Sequence, residues 1–218
     1  MTTIDGNVLT ESLFLADALR VGRQSMLEPQ ELPGRYGRVV QSIDQVLHAT
    51  QCDSVVAGGW AVWRHGYVGR VTQDIDIVLP LSGIEEFLQA AAMIEFQVLT
   101  PIPGRWPKMM HKETGVQVDI LPEGERPGRA PDFAPTTIPS PIILGAGGAL
   151  LRYVNLPGLI ELKIAAGRLK DRADVAELIK TNRDQLAIVR AHLQTVHERY
   201  ACDFDVLVQE SARDDLQR

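Results

Sequence analysis

The stretch that decides the fold is SVVAGGWAVWRHGYVGRVTQDIDIVL, residues 54–79. Its first four residues are small or apolar and predict a short buried strand. The glycine pair Gly58-Gly59 ends that strand and opens a short helix. The stretch closes with an apolar run that contains two aspartates and predicts a second strand at 74–79, ended by Pro80.

The two aspartates lie two positions apart in the second strand, so Asp74 and Asp76 leave the same face of it. Ile75 and Ile77 then point the other way, into a core. Adjacent carboxylates repel each other unless a cation or a shared proton offsets their charge. Mg²⁺, with Mn²⁺ as the alternative, suits such a pair because it favours carboxylate oxygen and completes its shell with water and phosphate. A solvated strand edge or turn is the other explanation of an isolated Asp-x-Asp pattern.

A third aspartate recurs in a later strand, VQVDIL at 116–121, which alternates apolar and polar residues. Asp119 can therefore join Asp74 and Asp76 in a cluster that holds two metal ions, the arrangement that stabilises the entering and leaving oxygens of a phosphoryl transfer. The glycine pair supports this interpretation, because glycine amides at a helix start can approach an anionic ligand closely.

The rest of the chain supplies flanking elements. Apolar residues at helical spacing predict a helix before Cys52, and the capping box Ser82-x-x-Glu85 predicts the start of another. We expect a strand at 96–99, a long surface loop at 123–141, a return to the sheet at 142–144 and two or three helices after Pro157. This order predicts an α+β fold with a C-terminal helical region. We divide it into an N-terminal arm, residues 1–33, a core, 34–145, and a helical region, 146–218.

Composition limits the class of protein. A chain of 218 residues with 45% hydrophobic residues suits one domain with a helical extension. Its formal charge of -6 disfavours a broad nucleic-acid-binding surface. Two distant cysteines form no metal-ligand pattern and indicate a reducing, cytoplasmic setting. No window approaches the ~20 apolar residues of a membrane span, and the first residues do not resemble a secretory signal, so we expect no membrane partner.

Taken in order, these motifs resemble the DNA polymerase beta-like nucleotidyltransferase superfamily. The resemblance lies in the segment around Gly58-Gly59, in Asp74-Ile75-Asp76 and in Val118-Asp119-Ile120, and it covers about residues 54–121. The branches it looks most like are the lincosamide-type antibiotic nucleotidyltransferases and the nucleotidyltransferase toxins of type IV toxin–antitoxin systems. Gly59 departs from the pattern, because many members have a serine there.

The resemblance implies a nucleotidyltransferase-type mixed sheet flanked by helices, and a role for each matching residue. It implies that Gly58 and Gly59 lie against the triphosphate of a nucleotide. Asp74 and Asp76 would bind the metal, and Asp119 would complete the cluster and help activate the acceptor hydroxyl.

Two further positions enter through a weaker resemblance over residues 159–178 to the toxin branch. It implies that Lys163 contacts phosphate and that Asp174 is the acidic partner in the nucleotide site. The alternative is a solvated helix face with local ion pairs. Arg70, in the loop before the acidic strand, could reach the phosphates or pair with Asp74, and the sequence favours neither.

The function implied is transfer of a nucleoside monophosphate from a nucleoside triphosphate to an acceptor hydroxyl, with release of pyrophosphate. The acceptors consistent with the resemblance are an antibiotic, a tRNA end or a protein side chain, and the toxin branch would add a cognate antitoxin as a partner. A non-catalytic binding module, such as an antitoxin, and a structural protein with Asp-x-Asp on a sheet edge are the alternatives. The three acids favour an enzyme, because carboxylates near a core are costly to keep ionised.

Overall fold

The computed structural model describes residues 28–32, 34–67, 69, 72–129 and 131–216. Most of the N-terminal arm lies outside the described residues, and so does Arg70. Among the helices of the described part, none is long and apolar enough to cross a membrane.

The centre of the fold is a six-stranded mixed sheet, with a separate two-stranded ribbon beside it. In chain order the strands are β1 Val55–Val56, β2 Ile75–Leu79, β3 Phe96–Val98, β4 Lys108–His111, β5 Gln117–Pro122, β6 Gly128–Arg129, β7 Asp132–Phe133 and β8 Arg152–Tyr153. The spatial order in the large sheet is β3-β4-β5-β2-β1-β8, and β6 pairs with β7 in the ribbon. Strands β2 and β5 run parallel, which places Asp76 directly opposite Asp119.

Seven α-helices within the described residues surround the sheet or follow it. The first three are α1 Gly34–Thr50, α2 Gly58–Arg64 and α3 Ile84–Met93. The last four are α4 Leu156–Ala166, α5 Leu169–Thr181, α6 Leu186–Val196 and α7 Glu198–Leu216. The predicted α+β architecture is confirmed, since a mixed sheet is flanked by helices and followed by a helical region up to Leu216.

The sheet separates two apolar cores. Ile75 and Ile77 of β2 pack with α1 and α3 in the first core. Val78 of the same strand packs with the C-terminal helices in the second. Because side chains alternate along a strand, Asp76 shares the face of Val78. The aspartates of the two parallel strands therefore lie on the side of the sheet that carries the C-terminal helices.

Several details of the sequence prediction are wrong. Four helices, α4 to α7, form the C-terminal region, where two or three were predicted, and the predicted surface loop at 123–141 contains the ribbon strands β6 and β7. The return to the sheet comes at Arg152–Tyr153, because residues 142–144 form a turn. The Ser82–Glu85 capping box is absent, since Gly83 is the N-cap of α3 and no side chain caps that helix. Strand β4 was not predicted, because its sequence KMMH shows no apolar alternation although its residues are alternately half-buried and buried. The division at residue 145 stays a prediction, and β8 is a strand of the sheet from beyond it.

Candidate metal and nucleotide site

Three aspartates converge on the sheet face that carries the C-terminal helices. One carboxylate oxygen from each of Asp74, Asp76 and Asp119 lies within 4.8 Å of the others. Backbone pairing sets this proximity, because Asp76 is opposite Asp119 across the parallel strands and Asp74 immediately precedes β2. All three side chains are half-buried. Three carboxylates at this spacing are a donor set that suits Mg²⁺ or Mn²⁺.

The electrostatics of Asp76 also fit a cation. Burial raises the pKa of the Asp76 carboxyl to about 6, and the negative charges of Asp74 and Asp119 add to the rise. The positive charges of Lys163 and Lys170 partly offset it. A nearby divalent cation would favour the ionised form and relieve the repulsion between the carboxylates.

Gly58 is the point at which α2 meets Asp76. Its φ of 61° is left-handed, a conformation that costs other residues free energy. A Cβ added here would lie 1.7 Å from Asp76 Oδ2. The Ala57 N–H donates a hydrogen bond of 2.8 Å to the Asp76 carbonyl oxygen, which holds the turn against the strand. Glycine is therefore required at position 58 by a contact within the protein, in addition to any ligand.

Asp74 is held by two residues that the sequence analysis did not assign to the site. Thr72 Oγ1 donates to Asp74 Oδ1 at 3.3 Å, and Trp60 Nε1 donates to the Asp74 carbonyl oxygen at 2.9 Å. A Cβ on Gly59 would lie 2.4 Å from Thr72 Oγ1, so the second glycine leaves room for this threonine. Helix α2 thus fixes the segment that enters β2.

Asp119 is held by two further unassigned residues. Lys108 Nζ donates to Asp119 Oδ2 at 2.5 Å, and Gln117 Nε2 donates to Asp119 Oδ1 at 2.6 Å. Lys108 lies on β4, directly opposite Asp119 in the antiparallel pairing. Recognition of β4 from the sequence would have found this lysine, because cross-strand partners share a face. Its charge offsets part of the negative charge of the cluster.

Lys163 and Asp174 are brought together, but in the interior. Lys163 Nζ donates to Asp174 Oδ2 at 2.6 Å and to Asp171 Oδ1 at 3.3 Å. All three residues are buried, so a solvated helix face is the wrong description of them. Lys163 is near enough to the acidic cluster for its charge to lower the pKa of Asp76. A contact between Lys163 and phosphate stays a prediction.

Comparison with known proteins gives distant structural likenesses. No protein-family model matches the chain, and no curated protein matches it significantly. The solution structure of the antibiotic-resistance factor ANT(2'')-Ia matches with a TM-score of 0.45 and 17% identity, over 76% of this chain and 92% of that one. The crystal structure of ANT(2'')-Ia with adenylyl-2''-tobramycin matches with a TM-score of 0.40 and 16% identity, over 81% and 97%.

A third likeness is to the STING-associated CdnE c-di-GMP synthase from Capnocytophaga granulosa. Its TM-score is 0.29 and its identity 11%, over 99% of this chain and 84% of that one. Likeness at this level does not define the chemistry of this chain, which has to follow from its own residues.

The contact between Gly58 and Asp76 predicts a specific defect in Gly58→Ala. Gly115→Ala is the matched control, because Gly115 has a similar φ of 67° and open space around a Cβ. Both variants should lose about 1 kcal/mol of unfolding free energy to backbone strain. Gly58→Ala should in addition bind Mn²⁺ roughly tenfold or more weakly, because Asp76 must move. Chemical denaturation and calorimetric Mn²⁺ titration measure the two effects. Unchanged Mn²⁺ affinity in Gly58→Ala would show that this contact does not support a metal site.

The raised pKa of Asp76 predicts how metal binding depends on pH. With that pKa at about 6, a proton competes with the metal for this carboxylate at higher pH than at an ordinary aspartate. Mn²⁺ affinity should be constant above about pH 7 and fall roughly tenfold per unit below about pH 6. Titration calorimetry across this range measures it. A fall that begins only near pH 4 would mean that Asp76 titrates like an ordinary carboxyl.

Proposed function

We propose that the protein is a metal-dependent nucleotidyltransferase, which moves a nucleoside monophosphate from a nucleoside triphosphate to an acceptor hydroxyl and releases pyrophosphate. The observation that carries the proposal is the convergence of Asp74, Asp76 and Asp119 within 4.8 Å, next to the glycine turn. Clustered carboxylates of this kind suit phosphoryl transfer, in which charge on the transferring group has to be neutralised.

Each part of the site has a proposed role. Asp74, Asp76 and Asp119 would hold Mg²⁺ or Mn²⁺, which supplies positive charge at the transferring phosphoryl group when bound. Thr72 and Trp60 keep Asp74 in place through their hydrogen bonds. Gly58 and Gly59 would border the triphosphate, and their position against Asp76 and Thr72 supports this role.

Asp119 is the residue we assign to the acceptor. In the transfer, the acceptor oxygen forms a bond to the α-phosphorus, the bond from that phosphorus to pyrophosphate breaks, and the hydroxyl proton leaves. A carboxylate held in a fixed orientation can assist departure of that proton. Hydrogen bonds from Lys108 and Gln117, one to each carboxylate oxygen, fix the orientation of Asp119.

The acceptor would come from the classes that the sequence resemblance implies, an antibiotic, a tRNA end or a protein side chain. The charges of Asp74, Asp76 and Asp119 act on the nucleotide side of the reaction, so they are the same for all three classes of acceptor. If the protein acts on its acceptor as a toxin, a cognate antitoxin would be a further partner. The cluster favours catalysis over a non-catalytic module, because burial and the charges of Asp74 and Asp119 raise the pKa of Asp76 even though lysines offset part of the rise, and a bound cation would relieve that cost.

Metal-dependent nucleotide binding tests the proposal. Wild-type protein should bind at least one of ATP, GTP, CTP and UTP with Mg²⁺ and should lose that affinity when EDTA removes the metal. Asp76→Asn should lose the metal-dependent part of the affinity, by roughly 100-fold, because a ligand of the cation is gone. Titration calorimetry measures the affinities, and circular dichroism confirms that the variant is folded.

Asp53→Asn is the control for this measurement. Asp53 is half-buried and accepts a hydrogen bond from the Ala149 N–H at 3.3 Å, at the end of β1 away from Gly58. The Asp53→Asn variant should bind nucleotide with the affinity of the wild type. Equal metal-supported affinity in Asp76→Asn and wild type would contradict the assignment of the site.

A further inference from the structure

An ion-pair network joins α4 to the start of α5, beside the acidic cluster. Lys163 Nζ contacts Asp174 at 2.6 Å and Asp171 at 3.3 Å. Arg168 contacts the same Asp171 twice, with Nε 2.5 Å from Oδ2 and Nη2 3.1 Å from Oδ1. Lys163, Asp171 and Asp174 are buried, whereas 61% of the Arg168 side chain is exposed.

Asp171 holds Arg168 in a defined orientation. Two parallel hydrogen bonds between a guanidinium and a carboxylate fix both distance and plane. Burial acts to raise the pKa of Asp171, but the hydrogen bond from Arg168 and the charges of Lys163 and Arg168 outweigh burial and hold that pKa below its usual value. Asp171 is therefore a fixed anion, fully buried, that anchors an exposed cation. A buried carboxylate needs partners for its charge, and Asp171 has two, the buried Lys163 and the exposed Arg168.

The anchored guanidinium still has donors to offer. A guanidinium carries five N–H groups in a rigid fork, and the contacts with Asp171 involve only Nε and Nη2. The Arg168 group is exposed enough for its other donors to meet a ligand. Lys163 is differently placed, because its buried ammonium already contacts two carboxylates.

Arg168, the N-cap residue of α5, is also near enough to the acidic cluster for the charge of Asp76 to act on it. The hydrogen bond with Asp171 is the main cause of the raised pKa of Arg168, and the negative charges of Asp76 and Asp174 contribute to it. Arg168 forms its ion pair with Asp171, so this arginine leaves the carboxylate oxygens of the acidic cluster available to a metal.

We propose that Arg168 is a phosphate-binding residue that contacts the β- and γ-phosphates of the nucleoside triphosphate, and that Asp171 is the positioning residue that aims it. This inference rests on the proposed function. In that function the α-phosphate reacts at the three aspartates, so the remaining two phosphates extend away from them. A planar guanidinium with free donors matches phosphate oxygens geometrically.

The test uses Mg²⁺ with inorganic pyrophosphate, with a nucleoside monophosphate and with the triphosphate that the wild type binds best. Arg168→Ala should weaken binding of pyrophosphate and of the triphosphate by about 10- to 100-fold, the usual effect of losing a charge-assisted contact. Monophosphate affinity should change less than about twofold, because the α-phosphate is held elsewhere. This selectivity separates a phosphate contact from a general loss of structure.

Matched variants distinguish directed hydrogen bonding by the Arg168 guanidinium from the effect of positive charge alone. Arg172→Ala removes an arginine one turn along the same helix, paired with Glu210 at 3.6 Å, and should bind like wild type. Lys170→Ala removes a cation whose charge also acts on Asp76 and should have less than about a third of the effect of Arg168→Ala. Arg168→Lys should bind with intermediate affinity, and Asp171→Asn should show the same pyrophosphate selectivity as Arg168→Ala, with a smaller loss.

The outcomes distinguish this inference from the proposed function. If no triphosphate binds with Mg²⁺ to wild-type protein, both fail. If Asp76→Asn removes metal-dependent triphosphate binding but Arg168→Ala retains wild-type affinity for pyrophosphate, only the assignment of Arg168 is overturned. Equal losses in Arg168→Ala and Lys170→Ala would also overturn it, because diffuse positive charge would then explain the binding. Should Asp171→Asn fail to fold, the Arg168 variants still decide.

Discussion

The parallel pairing of β2 with β5 is the constraint on which the rest of the site depends. It places Asp76 opposite Asp119, and Asp74 adds a third carboxylate to the same face. The chain cannot separate these charges by a shift in register. A slip of one residue would turn Ile75 and Ile77 out of the core and the aspartates into it. Repulsion among the carboxylates is therefore built into the strands that also form the core.

Nearby cations compensate this repulsion only in part. Lys108 contacts Asp119 from β4, and Lys163 acts on Asp76 from α4 while it contacts the carboxylates of Asp171 and Asp174. The pKa of Asp76 stays raised in spite of these charges, because burial and the neighbouring aspartates dominate. A divalent cation would stabilise a site of this kind by offsetting the remaining negative charge, whereas a structural ion pair is already neutralised. This need for a cation links the fold to the proposed chemistry.

The sequence predicted the parts of the molecule in which local pattern and tertiary structure agree. Strand alternation placed Asp74 and Asp76 on one face, and the glycine pair marked the turn beside them. Lys108 was missed because β4 has no apolar alternation, so its cross-strand contact with Asp119 could not be anticipated.

The sequence of α4 contains a signal that Lys163 is buried, and the sequence prediction did not use it. Glu161 and Lys163 are the charged residues of α4, whose sequence LPGLIELKIAA is otherwise apolar. A helix that is apolar on all sides is buried, so its charges need partners. The structure supplies His192 for Glu161 at 2.6 Å and Asp174 for Lys163 at 2.6 Å.

The most direct test of the central claim is a crystal structure with Mn²⁺ and a non-hydrolysable nucleoside triphosphate, read by anomalous scattering. We expect a Mn²⁺ peak in coordination contact with Asp74, Asp76 and Asp119, and with phosphate oxygen. A nucleotide bound with its metal away from these carboxylates would contradict the claim.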